Sequence, residues 1–285
     1  MDLDCVMICQ RYLAAVQIAD GYTSAMLHGA LEGQVAVVTG VSRRAGIGYA
    51  ITRRLLADGL SVLIHSWSPH DATQTWGAEP GGMEEVIEGL GGLGPRLQHI
   101  EADLADPDSA RRVITHAITG FGAIDILVAN HAHSSEQSLE SVTAEELDRA
   151  WAINARAVVL LAQAYAAQRD DSRSNGRIVL FTSGQHLGPM ADEVAYAVSK
   201  GAVHQMTATL AGALAARGIT VNAINPGPVD TGWPSAELRT QLRPRFPAGR
   251  WGQPDDIAGV VRWLVSDESA WVTGQVINAE GGFRR

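Results

Sequence analysis

From residue 35 onward, short runs rich in Val and Ile alternate with segments of helical length. The apolar runs fall at 35–39, 61–64, 97–101, 124–129, 177–181, 220–224 and 276–278, and helical patterns cover 47–58, 83–89, 108–119, 144–168, 194–217 and 254–266. Strands joined by helical crossovers pair in parallel. Runs that are apolar throughout suit strands buried on both faces. The pattern predicts a doubly wound parallel sheet of about seven strands with helices on both faces. Ligands of such a sheet sit at the C-terminal ends of its strands.

The length of 285 residues suits one large α/β unit, read here as 31–285 behind an extension at 1–30. That extension has only weak helical spacing (Val6, Tyr12, Leu13, Val16). It reads as an appendage or as a helix packing on the domain or a partner subunit. Met26 just before the domain makes an over-extended start another reading. A net charge of −9 without a basic block argues against nucleic acid or an anionic membrane as partner. The apolar run 157–167 is too short to span a bilayer. Asp2 and Asp4 stand where a secretory signal carries cations. Two cysteines, Cys5 and Cys9, with no histidine near them, support neither a disulfide framework nor a zinc site. The expected setting is cytoplasmic.

Thr39-Gly40-Val41-Ser42-Arg43-Arg44-Ala45-Gly46-Ile47-Gly48 follows the first strand and opens a helix. Glycines there let a pyrophosphate approach the backbone, and the helix N-terminus adds free N–H groups and a positive dipole end. A simple strand-to-helix turn is the bland alternative. NAD sites place an acid about 20 residues further on, at the ribose hydroxyl. Here the second strand ends Ile64-His65-Ser66-Trp67, without a carboxylate. Arg43 or Arg44 can pair with a 2′-phosphate, so NADP(H) is expected and NAD(H) stays possible; Asp71 is close enough in sequence to reach in.

The chain has 22 Lys plus Arg, yet one lysine, Lys200. It stands four residues after Tyr196, which puts both side chains on one helical face. An ammonium beside a phenol favours the phenolate and makes the hydroxyl a usable proton donor or acceptor. Ser183 closes the preceding strand, where a hydroxyl can hold a carbonyl oxygen as charge develops. Taken singly, the pair reads as a surface contact and the serine as a cap.

Together these residues resemble the classical short-chain dehydrogenases/reductases, most closely their 3-oxoacyl-[acyl-carrier-protein] reductases, from about Leu31 to Gly282. The glycine segment, Ser183 and Tyr196-Ala-Val-Ser-Lys200 are similar to the family's motifs. So are Asn154 in Trp151-Ala-Ile-Asn-Ala, Asp103-Leu104, Asn130, and Pro226-Gly227-Pro228-Val229-Asp230-Thr231. The resemblance implies a Rossmann-type fold and carbonyl reduction by hydride transfer, with Ser183, Tyr196, Lys200 and Asn154 as the catalytic set. It implies cofactor contacts from Gly40, Ser42, Arg43, Arg44, Gly46, Ile47, Gly48, Asp103, Leu104, Asn130, Tyr196, Lys200, Pro226, Gly227, Val229 and Thr231. In that scheme Lys200 lowers the tyrosine pKa and Asn154 orders a proton-relaying water. The expected substrate is a small ketone or an acyl thioester, with an acyl carrier protein as the partner delivering it.

Two features depart from the family. Five residues separate the first two glycines where three are usual, leaving open which arginine meets the phosphate. His131 interrupts the usual Asn-Asn-Ala-Gly; it either touches cofactor or substrate or stabilises the turn. His131-Ala-His133 has no further ligand nearby, and no metal is expected. Residues 66–82 and 232–252 read as long loops, the second as a lid with Trp233 near its start. Its Arg239, Arg243 and Arg245 face an acidic carrier or simply solvent. The Ala- and Leu-rich 144–168 and 194–217 pair across subunits of a homo-oligomer, dimer or tetramer, or serve the core alone. Rival readings are an NAD-dependent alcohol or sugar dehydrogenase and, in another class, a cofactor-binding redox sensor or scaffold.

Overall fold

The computed structural model describes residues 31–173 and 176–285. The proposed extension at 1–30 lies outside the described residues. Seven strands form one sheet in the order β3-β2-β1-β4-β5-β6-β7: β1 (Val35–Thr39), β2 (Ser61–Ser66), β3 (Leu97–Glu101), β4 (Ile126–Ala129), β5 (Gly176–Phe181), β6 (Ile219–Asn225) and β7 (Val276–Asn278). All neighbouring pairs are parallel, with Val38 beside Ile64 and Val128. The strand order reverses around β1, so the crevice opens between the ends of β1 and β4.

The strands show period two within fully buried runs. Ala36 and Val38 join the apolar layer holding Ile51, Leu55, Ile257 and Val261. Val37 and Leu127 join the opposite layer with Val113, Ile114, Leu161 and Val203. Helices α1 (Ile47–Ala57) and α9 (Pro254–Val265) therefore cover one face. Helices α4 (Ser109–Phe121), α6 (Ala157–Gln168) and α7 (Val194–Leu214) cover the other. Each fully buried Val, Leu or Ile contributes about 1.5–3 kcal/mol relative to an exposed one.

Three elements differ from the sequence expectation. Residues 66–82 contain a short helix, α2 (Ser68–Ala72), ahead of α3 (Gly82–Gly89). Within 232–252, Ser235 caps α8 (Ala236–Leu242) by accepting a bond from Leu238 N. The predicted helix over 144–168 is broken: α5 (Ala144–Trp151) passes through a π-helical turn, Ala152–Arg156, before α6. Such turns insert one residue into a helix and re-aim the side chains around it. The residue re-aimed here is Asn154.

Candidate active site

The loop after β1 enters at Gly40, whose φ of +72° suits glycine. A Cβ on Gly48 would lie 2.5 Å from the Gly40 carbonyl oxygen, so α1 can seat against the loop only with glycine there. Gly46 precedes α1 without a side-chain cap, leaving first-turn N–H groups for an anion. Asn130, at the end of β4, donates to the carbonyls of Thr39 and Gly40 at 3.1 Å each, tying the two strand ends together.

A cleft of about 300 Å³ lies along this edge, and its lining includes Trp67, Asp103, Leu104, Tyr196, Lys200, Pro226 and Thr231. It is bordered by the uncapped N-terminus of α1, whose free N–H groups suit a phosphate. Gly40, Ser42, Arg43, Gly46, Ile47 and Asn130 also face it. Gly48, Gly227 and Val229 are not among the lining residues: Val229 is buried, and its carbonyl accepts from the Trp233 indole at 2.9 Å.

The two arginines of the loop part company. Arg43 turns inward, with Nη1 donating to the Thr231 carbonyl at 3.0 Å and Nε 3.3 Å from Asp71. Burial pulls its pKa below the ordinary guanidinium value, against the opposing pull of Asp71. Arg44 turns outward to Glu79 at 2.6 Å and Glu85 at 2.9 Å. Arg44, expected from the sequence among the cofactor contacts, is not part of the cleft lining and pairs with two carboxylates on the outside of the turn.

His131 is a turn stabiliser that also lines the cleft. Its Nδ1 lies 2.7 Å from the Thr39 hydroxyl and its Nε2 lies 2.9 Å from the Ile153 carbonyl. A carbonyl only accepts, so Nε2 carries the proton and Nδ1 receives the threonine hydrogen. Burial lowers its pKa to about 3, and that of His65 to about 4, so both rings are neutral near pH 7. His133 pairs instead with Glu146 at 2.7 Å. Among the described residues, no group of three or more His, Cys, Asp or Glu is placed to hold a metal ion.

Lys200 is 3% exposed and its Nζ donates to the Phe181 carbonyl at 2.8 Å. Burial lowers its pKa to about 8. The ammonium lies 5.7 Å from the centre of the Tyr196 ring. Ser183 follows β5 in extended backbone, close enough for its side chain to act on the Tyr196 phenol. The Tyr196 pKa is raised, first by burial and then by Glu193, with the Ser183 bond opposing. This differs from the expectation that Lys200 dominates the phenol. Lys200 is turned onto a backbone carbonyl, and desolvation outweighs the charge effect. At neutral pH Tyr196 is a protonated phenol.

Asn154 is fully buried. Its Oδ1 accepts from His133 N at 2.6 Å, and its Nδ2 donates to the His133 carbonyl and the Ser199 hydroxyl, both at 2.9 Å. Ser199 in turn donates to the Tyr196 carbonyl at 2.9 Å. The side chain thus fastens the first turn of α7 to the loop after β4. Asn154→Ala is expected to cost about 2–3 kcal/mol of stability by leaving the His133 amide and carbonyl unpaired. A urea melt placing the variant within about 0.5 kcal/mol of the parent, the range of neutral surface changes, would contradict this role.

The 232–252 segment carries an aromatic cluster: Trp233 and Trp251 ring centres lie 5.8 Å apart, Trp251 and Phe246 5.1 Å, and Phe246 and Phe283 4.8 Å. Arg239 is held by Asp230 at 2.9 Å, and Arg243 by the Gly249 carbonyl at 3.0 Å.

A family model described as enoyl-(acyl carrier protein) reductase matches residues 40–284. The uncharacterized oxidoreductase YjdA of Bacillus subtilis is 40% identical over 253 residues, covering 88% of this chain and 97% of the relative. The chain belongs to the short-chain dehydrogenase/reductase family. Another member, the hydroxynaphthalene reductase-like protein Arp2 of Metarhizium brunneum, is 35% identical over 270 residues, covering 88% and 95%. A short-chain dehydrogenase from Burkholderia cenocepacia J2315, solved in complex with NADP, superposes with TM-score 0.76 at 34% identity over 89% of this chain and 98% of that one. As a short-chain dehydrogenase/reductase, this chain is an NAD(P)-dependent oxidoreductase of the carbonyl/alcohol couple. Among the described residues, no helix is long and apolar enough to cross a membrane.

Proposed function

We propose that this protein reduces a ketone carbonyl, in a 3-oxoacyl thioester or a ketone of similar size, to a secondary alcohol with NADPH. The observation that carries the reading is Tyr196 and buried Lys200 lining the cleft together with Pro226 and Thr231, with Ser183 acting on the tyrosine from just behind. The same cleft supports the cofactor assignment. The α1 N-terminus and Gly40, Ser42, Gly46, Ile47 and Gly48 would hold the pyrophosphate. Arg43 would hold the 2′-phosphate, and Asp103 and Leu104 the adenine. Asn130 would keep the glycine loop in place, while Pro226, Gly227, Val229 and Thr231 would border the nicotinamide. When bound, the nicotinamide supplies the hydride.

The chain's own residues handle the substrate oxygen. Ser183 and Tyr196 donate hydrogen bonds to it, and Tyr196 gives up its proton as charge develops. Lys200 holds ribose hydroxyls and, while protonated, steadies the resulting phenolate. Asn154 positions Tyr196 through Ser199. The relatives support the reductive direction: one is named a hydroxynaphthalene reductase-like protein, and the family description, enoyl-(acyl carrier protein) reductase, supports the link to acyl carrier protein. The reading includes an acyl carrier protein as thioester donor, approaching the lid face. It also includes a cytoplasmic setting and a homo-oligomer pairing through α5–α6 and α7, where Trp151, Val159 and Val198 are exposed.

The test follows NADPH and NADH oxidation separately with acetoacetyl thioester. Turnover with NADPH that disappears in a Tyr196→Phe control is the expected result. Turnover with NADH alone would overturn the cofactor assignment. Silence with both would overturn the thioester and move the search to a panel of ketones.

A further inference from the structure

Helix α2 brings a carboxylate to the place where the end of β2 has none. Asp71 is 7% exposed, and three donors converge on it. The Ser42 hydroxyl donates to Oδ2. The Trp76 indole donates to Oδ1 at 3.1 Å, and Arg43 Nε approaches Oδ1 at 3.3 Å. The Arg43 guanidinium also lies 5.4 Å from the centre of the Trp76 ring. Ser42, Arg43, Asp71 and Trp76 all line the cleft beside Trp67. A hydroxyl, an indole N–H and a guanidinium aimed at one point make an anion seat, and the protein's own carboxylate fills it.

We infer that Asp71 sets the cofactor preference of this enzyme by competing with a 2′-phosphate for Ser42 and Arg43 while offering an acceptor to a 2′-hydroxyl. The inference rests on the dinucleotide reading of the cleft. A phosphate reaching Arg43 meets a carboxylate already bonded there and either displaces it or sits beside like charge. A ribose bearing only hydroxyls gains an acceptor, as at sites that read the 2′-hydroxyl with an acid. Asp71 therefore holds NADP affinity below what Arg43 alone would give, and keeps NAD(H) usable. Arg44, occupied by Glu79 and Glu85, supplies no second cation to offset this.

The experiment measures dissociation constants of NADP⁺ and NAD⁺ for the full chain by calorimetry, without turnover. Asp71→Asn keeps the shape and removes the charge. It is expected to shift the NADP⁺/NAD⁺ preference toward NADP⁺ by about tenfold or more, equivalent to about 1.4 kcal/mol. In an Arg43→Gln background the same change should shift it by less than about threefold, because the gain runs through Arg43. Asp71→Ser serves as the second variant should the asparagine protein fail to fold, with the same expected direction. An unmoved ratio, or NADP⁺ weakened more than NAD⁺, would overturn the inference and make Asp71 a support that presents Arg43 to the phosphate. Parent protein that binds neither nucleotide would sink the cofactor reading and this inference with it. Binding of both with an unmoved ratio would sink the role of Asp71 alone.

Discussion

Tyr196→Phe is expected to lower kcat about 10³-fold or more, at the upper part of the range for loss of a positioned general acid. The nicotinamide dissociation constant should move only a few-fold. The argument starts from where the hydroxyl sits. It sits beside Ser183, just past β5, and burial keeps it protonated at neutral pH. A reduced carbonyl leaves as an alkoxide unless a proton arrives, and the other acid in the lining beside Tyr196, the Lys200 ammonium, is turned onto the Phe181 carbonyl. Phenylalanine keeps the ring, and so the wall of the cleft, while removing the proton. A stopped-time assay against a fluorescence titration of the cofactor separates the two effects. Residual kcat within tenfold of the parent would remove Tyr196 from the chemistry. A parallel loss of binding would recast it as a cofactor-holding residue.

Much of this was legible in the sequence, for physical reasons that differ by element. The central strands β1, β2 and β4 were visible because a sheet buried on both faces favours Val/Ile-rich runs, and the structure extends β2 by His65 and Ser66. The glycine loop was visible because close backbone approach has one residue type that allows it. The inward turn of Arg43 was not visible, because it is decided by Glu79 and Glu85, which draw Arg44 away across a loop. The break in the helix over 144–168 was hidden as well. It depends on an amide pairing with the backbone of His133, which no local periodicity encodes. Asp71 was visible as a residue within reach but not as the centre of three donors. Its placement rests on α2, a five-residue helix too short to show a periodic pattern. The balance between burial and charge at Tyr196 is likewise a tertiary property.

Lys200→Met is expected to abolish most activity and yet leave the protein at least as stable as the parent at pH 7. The ammonium is buried, and its pKa of about 8 against 10.5 for a free lysine means that the fold disfavours the charge. That difference corresponds to roughly 3 kcal/mol of destabilisation at neutral pH. Opposing it, methionine leaves the Phe181 carbonyl without its partner, a loss of about 1–3 kcal/mol. The volume is nearly kept, so no cavity adds to the loss. The pH dependence has a definite sign. Between about 8 and 10.5 the unfolded chain binds the lysine proton and the folded chain does not, so this group makes stability rise with pH across that window. The variant should lack that rise in a series of urea melts. Reductive kcat of the parent should fall in the same direction as the ammonium is lost above pH 8, because the phenolate left by Tyr196 then has no cation beside it. A variant clearly less stable than the parent at pH 7 would show that the Phe181 contact outweighs the cost of the buried charge. If instead it kept full turnover, Lys200 would have no part in the chemistry.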